Sequence, residues 1–289
     1  MLTVNQYCRE QFGEKLYKLS LDGGFSCPNR DGTLGTGGCI FCSAGGSGDF
    51  AADRSLPVEE QIEEAKKRIS AKYKGNRYIA YFQAFTNTYA PVEKLRELYM
   101  PVVQRDDIAV LSIATRPDCL GDDVLTLLAE LNAIKPLWVE LGLQSTKPET
   151  AECIRRGYEL PVYEHAVMKL NALGIHVITH VILGLPGESI DDMLKTVQHV
   201  VNIGSKGIKL QLLHVLEGTD LAAEYRQGKF EVMEMDEYIT LLGRCLELLP
   251  EDMVVHRLTG DGPKRSLISP LWTGNKKRVL NAIKNAFRI

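Results

Sequence analysis

The chain has 289 residues, 45% of them hydrophobic and 25% charged, enough to bury the core of one large domain. No stretch reaches the roughly 18 consecutive apolar residues that a membrane span needs, and charges interrupt the opening MLTVNQYCREQFGEK where an export signal needs an apolar core, so a cytoplasmic protein is expected. Net charge is −3, yet residues 255–289 carry +7 (Arg257, Lys264, Arg265, Lys276, Lys277, Arg278, Lys284 and Arg288 against Asp261) and leave −10 for the rest, which points either to a polyanion near the C-terminus or to a solvated basic helix face.

In chain order, residues 16–21 (LYKLSL) predict a first strand. Residues 57–72 open on Pro57 and carry Glu59 and Glu60 in the first turn, the composition of a helix start. Strand 78–82 (YIAYF), helix 91–104 behind Pro91, strand 109–114 (AVLSIA), helix 121–134, strand 137–143 (LWVELGL) and helix 161–173 follow. Strand 175–183 (IHVITHVIL) leads through Ser189 as N-cap into helix 189–203, and strand 208–213 (IKLQLL) ends the alternation. Strands alternating with helices imply a parallel sheet with right-handed crossovers. No G-x-G-x-x-G follows the first strand, so a dinucleotide fold is not supported. Polar residues gather just after strand C-termini: Cys27, then Thr86 and Asn87, then Arg116, then Gln144 and Ser145. That distribution favours a partial (β/α)6 barrel over a doubly wound sheet.

Past residue 216 the pattern changes. An amphipathic helix at 235–249, a short strand at 253–258, a loop (TGDGPKR) and a basic helix at 275–287 predict a small C-terminal α/β extension. The expected division is a core over 1–216, with an N-terminal helix and a cysteine loop, and an extension over 217–289, basic from 255.

Seven cysteines in a large chain read as cytosolic do not suggest disulfides. Three of them form Cys27-PNRDGTLGTGG-Cys39-IF-Cys42, a C-x11-C-x2-C spacing after the first strand. Clustered thiolates bind soft metals, and glycines let backbone N–H groups turn toward sulfur. A closed electron-transfer cluster or a structural zinc site wants four ligands. Three leave one iron of a cluster open to a substrate. The alternative is a zinc site completed by Cys8.

This loop resembles that of radical-SAM enzymes, which use an iron–sulfur cluster and S-adenosylmethionine. Their usual spacing is C-x3-C-x2-C with an aromatic residue before the last cysteine, a place held here by Phe41. The long first gap and the run from Cys42 through Asp49 and Phe50 are similar to the catalytic subunit of Elongator. The strings LSLDGGFSCPNRDG, FQAFTNTYAP and RLTGDGPK most resemble the bacterial YhcC/YtqA group, and the resemblance spans nearly the whole chain.

The resemblance implies that Cys27, Cys39 and Cys42 hold a [4Fe–4S] cluster and that Phe41 contacts adenine. It makes Gln83, Thr86 and Asn87 the turn that holds the methionine amino group, and places Gly184, in the corner after the fifth strand, on the adenine side. On the fourth strand, period 2 puts Glu140, Gly142 and Gln144 on one face, and Gln144 and Ser145 are expected to contact the cofactor. Arg116 or Arg156 can pair with its carboxylate, or serve as a surface ion-pair partner. His176 and His180 share a strand face, as do Lys209 and Gln211, and Gln211 is counted with the cofactor pocket. Glu140 and His180 are the catalytic candidates, with Lys18 and Asp22 as further proton carriers.

The reaction so implied is reductive cleavage of S-adenosylmethionine to a 5′-deoxyadenosyl radical, with an electron from a flavodoxin or ferredoxin. The likeness to Elongator and the basic C-terminus suggest tRNA as substrate, wobble uridine first. Lys264, Arg265, Lys276, Lys277, Arg278 and Lys284 would grip phosphates, and Trp272, Phe287 or His256 would stack. The alternatives are a radical-SAM enzyme for a small metabolite and a zinc-stabilised nucleic-acid-binding barrel without catalysis.

Overall fold

The computed structural model describes residues 1–260 and 262–287, so Asp261 and Arg288, counted in the basic segment, lie outside the described residues. The strands are β1 (Leu2–Thr3), β2 (Tyr17–Leu21), β3 (Tyr78–Phe82), β4 (Ile108–Thr115), β5 (Leu137–Gln144), β6 (His176–Leu183), β7 (Gly207–Leu212), β8 (Val215–Leu216), β9 (Val254–Arg257) and β10 (Leu267–Ser269). The helices are α1 (Val4–Phe12), α2 (Val58–Ile69), α3 (Val92–Gln104), α4 (Asp122–Ile134), α5 (Pro148–Cys153), α6 (Leu160–Ala172), α7 (Ile190–Asn202), α8 (Asp220–Arg226), α9 (Met235–Glu247) and α10 (Lys276–Phe287). Ser189 caps α7 as expected, in a reciprocal capping box with Asp192.

One eight-stranded sheet runs in the order β1-β9-β7-β6-β5-β4-β3-β2, and its pairings are parallel. From β2 to β7 each strand lies beside its predecessor, so the order never reverses and the sheet curls as a partial barrel. The six predicted strands are all present. Beyond them, β9 comes from the C-terminal extension and pairs with β7, and β1 adds to β9. A separate pair, β8 and β10, is antiparallel.

Alternation along the strands divides the interior. Outward residues such as Leu19, Phe82, Leu111, Val139 and Leu210 pack against Ile62, Tyr99, Leu128, Tyr163 and Val197 of the surrounding helices, forming the main core. The inward residues form layers. At the N-terminal ends of the strands, Ile79, Val110, Trp138 and Ile178 pack with Cys8 of α1 into an apolar plug. Above it lie charged side chains, and above those, at the C-terminal ends, a cavity opens. Among the described residues no helix is long and apolar enough to cross a membrane.

Candidate functional site

The loop after β2 folds around its own backbone. Arg30 N and Asp31 N donate to Cys27 O, Gly38 N to Asn29 O, and Cys42 N to Cys39 O. The guanidinium of Arg30 donates to the carbonyls of Cys42 and Ser43 at 3.0 and 2.7 Å, pinning one end of the loop to the other. It lies so close over Gly38 that a Cβ there would fall 2.9 Å from its Nε, which together with φ +73 explains the glycine. Cys27, Cys39 and Cys42 line one cavity. The amide of Asn29, a buried residue, donates to Cys39 Sγ at 3.4 Å and to Arg155 O at 2.7 Å. Burial, with the Cys42 sulfur close by, pushes the Cys39 thiol up to about 11 against the pull of Asn29. Metal binding at Cys39 must therefore displace its proton.

This donor set fits an iron–sulfur cluster: three thiols on one loop, an N–H···S bond from Asn29, and open space in front. It does not fit the zinc alternative. Cys8 is sealed in the plug at the far end of the strands, and among the described residues no three His, Cys, Asp or Glu side chains converge as around a single ion.

The cavity wall is built from strand ends. Gln83 donates to Ser47 O at 2.6 Å, tying the turn after β3 to the cysteine loop, and Thr86 lines the cavity beside it. Gln144 ends β5 at φ +63, in the left-handed region that costs a side chain about 1 kcal/mol or more. The strain lets its side chain curl back, where the satisfied orientation donates to Gly142 O and Leu143 O at 3.2 and 2.9 Å. A Cβ on Gly142 would sit 2.6 Å from the end of that side-chain amide, so Gly142 makes the fold-back possible. Ser47, Phe85 and Arg155 also have positive φ, which gathers the non-glycine strain of the described residues around this site.

Arg116 and Arg156 both reach the cavity, and both are engaged elsewhere. Arg116 forms two bonds to Asp118, at 2.9 and 2.8 Å. Arg156 donates to the carbonyls of Leu143, Ser145 and Tyr158. The two guanidiniums sit over the ring of Tyr158, 5.2 and 4.6 Å from its centre. Three predicted residues do not reach the cavity. The amide of Asn87 is spent on the carbonyls of Phe82, Ala84 and Ala114. Ser145 is fully buried against Glu188. Gly184, at φ +89, faces Met233.

Glu140 forms the floor. Its Oε1 accepts from Lys18 and Ser112, each at 2.9 Å, and its Oε2 accepts from His180 at 2.7 Å and from Lys209. Lys209 also donates to Tyr81 Oη at 3.0 Å, and the Lys18 and Lys209 ammoniums each lie 4.5 Å from the centre of the Tyr81 ring. Burial opposes ionisation of Glu140, but the Lys18 and Lys209 charges and the His180 bond outweigh it and hold the carboxyl well below its usual range. Burial, with Lys209 adjacent, pushes His180 down to about 4 despite the carboxylate. Four donors fill the lone pairs of Glu140, so it orients its partners and is not itself placed to move a substrate proton, a correction to its candidacy as a catalyst. His180 and Gln211 do line the cavity.

Sequence reasoning missed Asn29, Tyr81, Ser112, Tyr158 and Arg257. Only Asn29 carried a local signal, its place inside the cysteine loop. Lys264, Arg265, Lys276, Lys277, Arg278 and Lys284 are exposed, as expected. Of the stacking candidates, His256 is enclosed, and Trp272 and Phe287 are partly buried. His256 packs edge-on against Trp138 inside the barrel, Trp272 donates to Met233 O, and Phe287 packs on Gly243.

Comparison with known proteins agrees with this geometry. The family model for the Radical SAM superfamily matches residues 32–200, and that for the Radical_SAM C-terminal domain matches 205–288. The first match begins between Cys27 and Cys39. The uncharacterized protein YtqA of Bacillus subtilis is 51% identical over 97% of this chain and 87% of its own length. The tRNA uridine(34) acetyltransferase of Methanocaldococcus infernus is 26% identical over 57% of this chain, which spans 31% of that protein. The solved archaeal M. infernus Elp3 with an N-terminal deletion has the same fold, with a TM-score of 0.69 at 16% identity, covering 93% of this chain and 63% of that one.

Two outcomes follow for the floor. Lys209→Met leaves a buried carboxylate undercompensated and should cost about 3–5 kcal/mol of unfolding free energy in urea melts, most of it recovered in Lys209→Met/Glu140→Leu. A double variant no more stable than the single would refute this. Second, His180 is neutral in the fold but takes up a proton when unfolded below about 6.5. Stability should therefore fall as pH drops from about 6.5 toward about 4, and His180→Gln should flatten that slope in thermal melts.

Proposed function

This chain belongs to the radical SAM superfamily, enzymes that bind a [4Fe–4S] cluster and S-adenosylmethionine, and on that premise we propose that it modifies tRNA. Cys27, Cys39 and Cys42 hold the cluster. When bound, the pair of cofactors supplies a 5′-deoxyadenosyl radical by one-electron cleavage of the sulfonium, the electron coming from a flavodoxin- or ferredoxin-type donor.

The protein's own residues do the rest. Arg30 and Asn29 hold the cysteine loop in shape. Gln83, Thr86 and Gln144 present polar groups at the strand ends, and Phe41 offers an aromatic surface in the same wall. Glu140, Lys18 and Lys209 keep the floor rigid, and the plug around Trp138 closes the far end against water.

One observation carries the substrate. A second cavity, lined by Asp49, Phe50, His214 and Pro263, shares Phe41, Gln83, Gln144, His180 and Gln211 with the first. His214 bonds Thr273 across 3.1 Å, and the basic helix α10 starts at Lys276, three residues further on. Exposed cations thus begin beside a chamber that opens onto the cofactor site, the arrangement a polyanion with one reacting base requires. The distant similarity to a tRNA uridine(34) acetyltransferase points the same way, with the wobble uridine as target. The acetyl chemistry named for that relative is not carried over, because this chain spans under a third of it.

Cys27 lies outside the family-model match, so it is the ligand to test first. Cys27→Ala, purified anaerobically, should lose the visible absorbance and the sulfide of the cluster; retention of both would remove Cys27 from the ligand set. For the substrate, nucleosides of tRNA from cells with and without the gene should differ in one modified uridine. Lys276/Lys277/Arg278→Ala should weaken tRNA binding and reduce its salt slope by about two to three. An unchanged nucleoside profile would overturn the tRNA reading.

A further inference from the structure

The wall shared by the two cavities contains two side chains whose hydrogen-bonding direction is fixed from behind. His180 gives one ring nitrogen to Glu140, with Nε2 at 2.7 Å from Oε2. Glu140 is ionised and can only accept, so Nε2 carries the proton. His180 is neutral at ordinary pH, and its Nδ1 is therefore a bare acceptor. Gln211 is held in the opposite sense. Its Oε1 accepts from Arg257 Nη1 at 3.2 Å, which leaves its amide N–H groups as donors. Both residues line both cavities. On the paired strands β6 and β7, His180 lies opposite Lys209 and Ile182 opposite Gln211, so His180 and Gln211 are diagonal neighbours on the inner face, about 7–8 Å apart at the backbone.

We propose that His180 and Gln211 form a donor–acceptor pair of fixed polarity that reads the imide edge of a uracil base in the substrate. The inference rests on the tRNA reading above and adds to it the residues that select the base. A uracil imide offers an N3–H to an acceptor and, next to it, a carbonyl oxygen to a donor. His180 Nδ1 takes the first and the Gln211 amide gives to the second. With the ring held in the same place, so that N3 faces His180, cytosine presents the reverse, a bare N3 and an amino group, and sets acceptor against acceptor and donor against donor. Neither wall residue can reverse, because Glu140 and Arg257 hold their other ends. A site whose polar groups are committed in this way disfavours a base that leaves them unpaired.

The test is binding of anticodon stem–loop RNAs that differ only in the first anticodon base, measured by fluorescence anisotropy on the anaerobic holoenzyme with S-adenosylmethionine present. Uridine should bind about tenfold more tightly than cytidine or N3-methyluridine, the latter lacking the N–H that His180 accepts. Gln211→Glu keeps the contact with Arg257 but replaces the donor with an acceptor, and should bring the preference for uridine over cytidine to parity or invert it. If wild-type protein binds all three RNAs alike, or if Gln211→Glu keeps the wild-type preference, the reader is refuted and the tRNA reading stands. If no RNA binds at all, the tRNA reading falls and the reader with it. The N3-methyluridine arm needs no variant protein, so a misfolded Gln211→Glu does not rescue the idea.

Discussion

A fully buried carboxylate sits at the centre of this barrel, and four donors from four strands converge on it. Glu140 on β5 draws Lys18 from β2, Ser112 from β4, His180 from β6 and Lys209 from β7 to a single point. Such a cluster is costly to assemble, because each charge gives up its hydration. Once assembled it allows little play: moving any one strand end leaves a buried charge without its partner. The cavity above inherits that rigidity. His180 has one possible tautomer, Tyr81 is fixed beside two ammoniums, and the strand ends carrying Gln83, Gln144 and Gln211 start from a common floor. A radical generated in this space needs walls that do not move, and the floor supplies the reference from which they are built.

The cysteine loop depends on the same ring of strands but is held differently. It contains no regular structure, and its shape comes from side chains bonding to backbone. Arg30 closes the loop on itself, Asn29 ties it to the carbonyl of Arg155, and Gln83 bonds the following segment at Ser47 O. Arg155 itself forms an ion pair with Asp220 of α8, so the extension also braces the loop. Glycine is required where these side chains press closest, at Gly38 beneath Arg30 and at Gly46 beneath the Phe85 ring.

Much of this was legible in the chain. Hydrophobic periodicity marked the six central strands and the long helices, and the C-x11-C-x2-C spacing marked the loop whose three cysteines line one cavity. What escaped was long-range or directional. Strand β9 was expected as a strand, but its seat beside β7 depends on a pairing that no local window contains. Ser112 and Tyr81 lie in unremarkable apolar runs and became visible only once Glu140 was found opposite them. Asn87 and Ser145 follow strand ends, where functional residues collect. Their side chains nevertheless turn into the protein, because carbonyls left over at the strand ends and the Glu188 carboxyl needed partners. Position along a barrel strand was readable; side-chain direction at its end was not.

The pairing of β1 with β9 has a consequence for the order in which the protein can be made. Leu2 pairs with Val254 and Thr3 with Val255, so the first-made strand of the sheet bonds to the last-made one. Neighbouring strands from β2 to β7 can associate as they emerge, one crossover at a time. The edge next to β7 stays open until β9 is synthesised, with its row of backbone N–H and C=O groups exposed in the meantime. Strand β1 has no partner strand before then, although Cys8 of α1 packs on side chains of β3 to β6 that are made earlier. The eight-stranded sheet is thus completed only once β9 has been synthesised, and a polypeptide that stops short of β9 would present a ready template for aggregation.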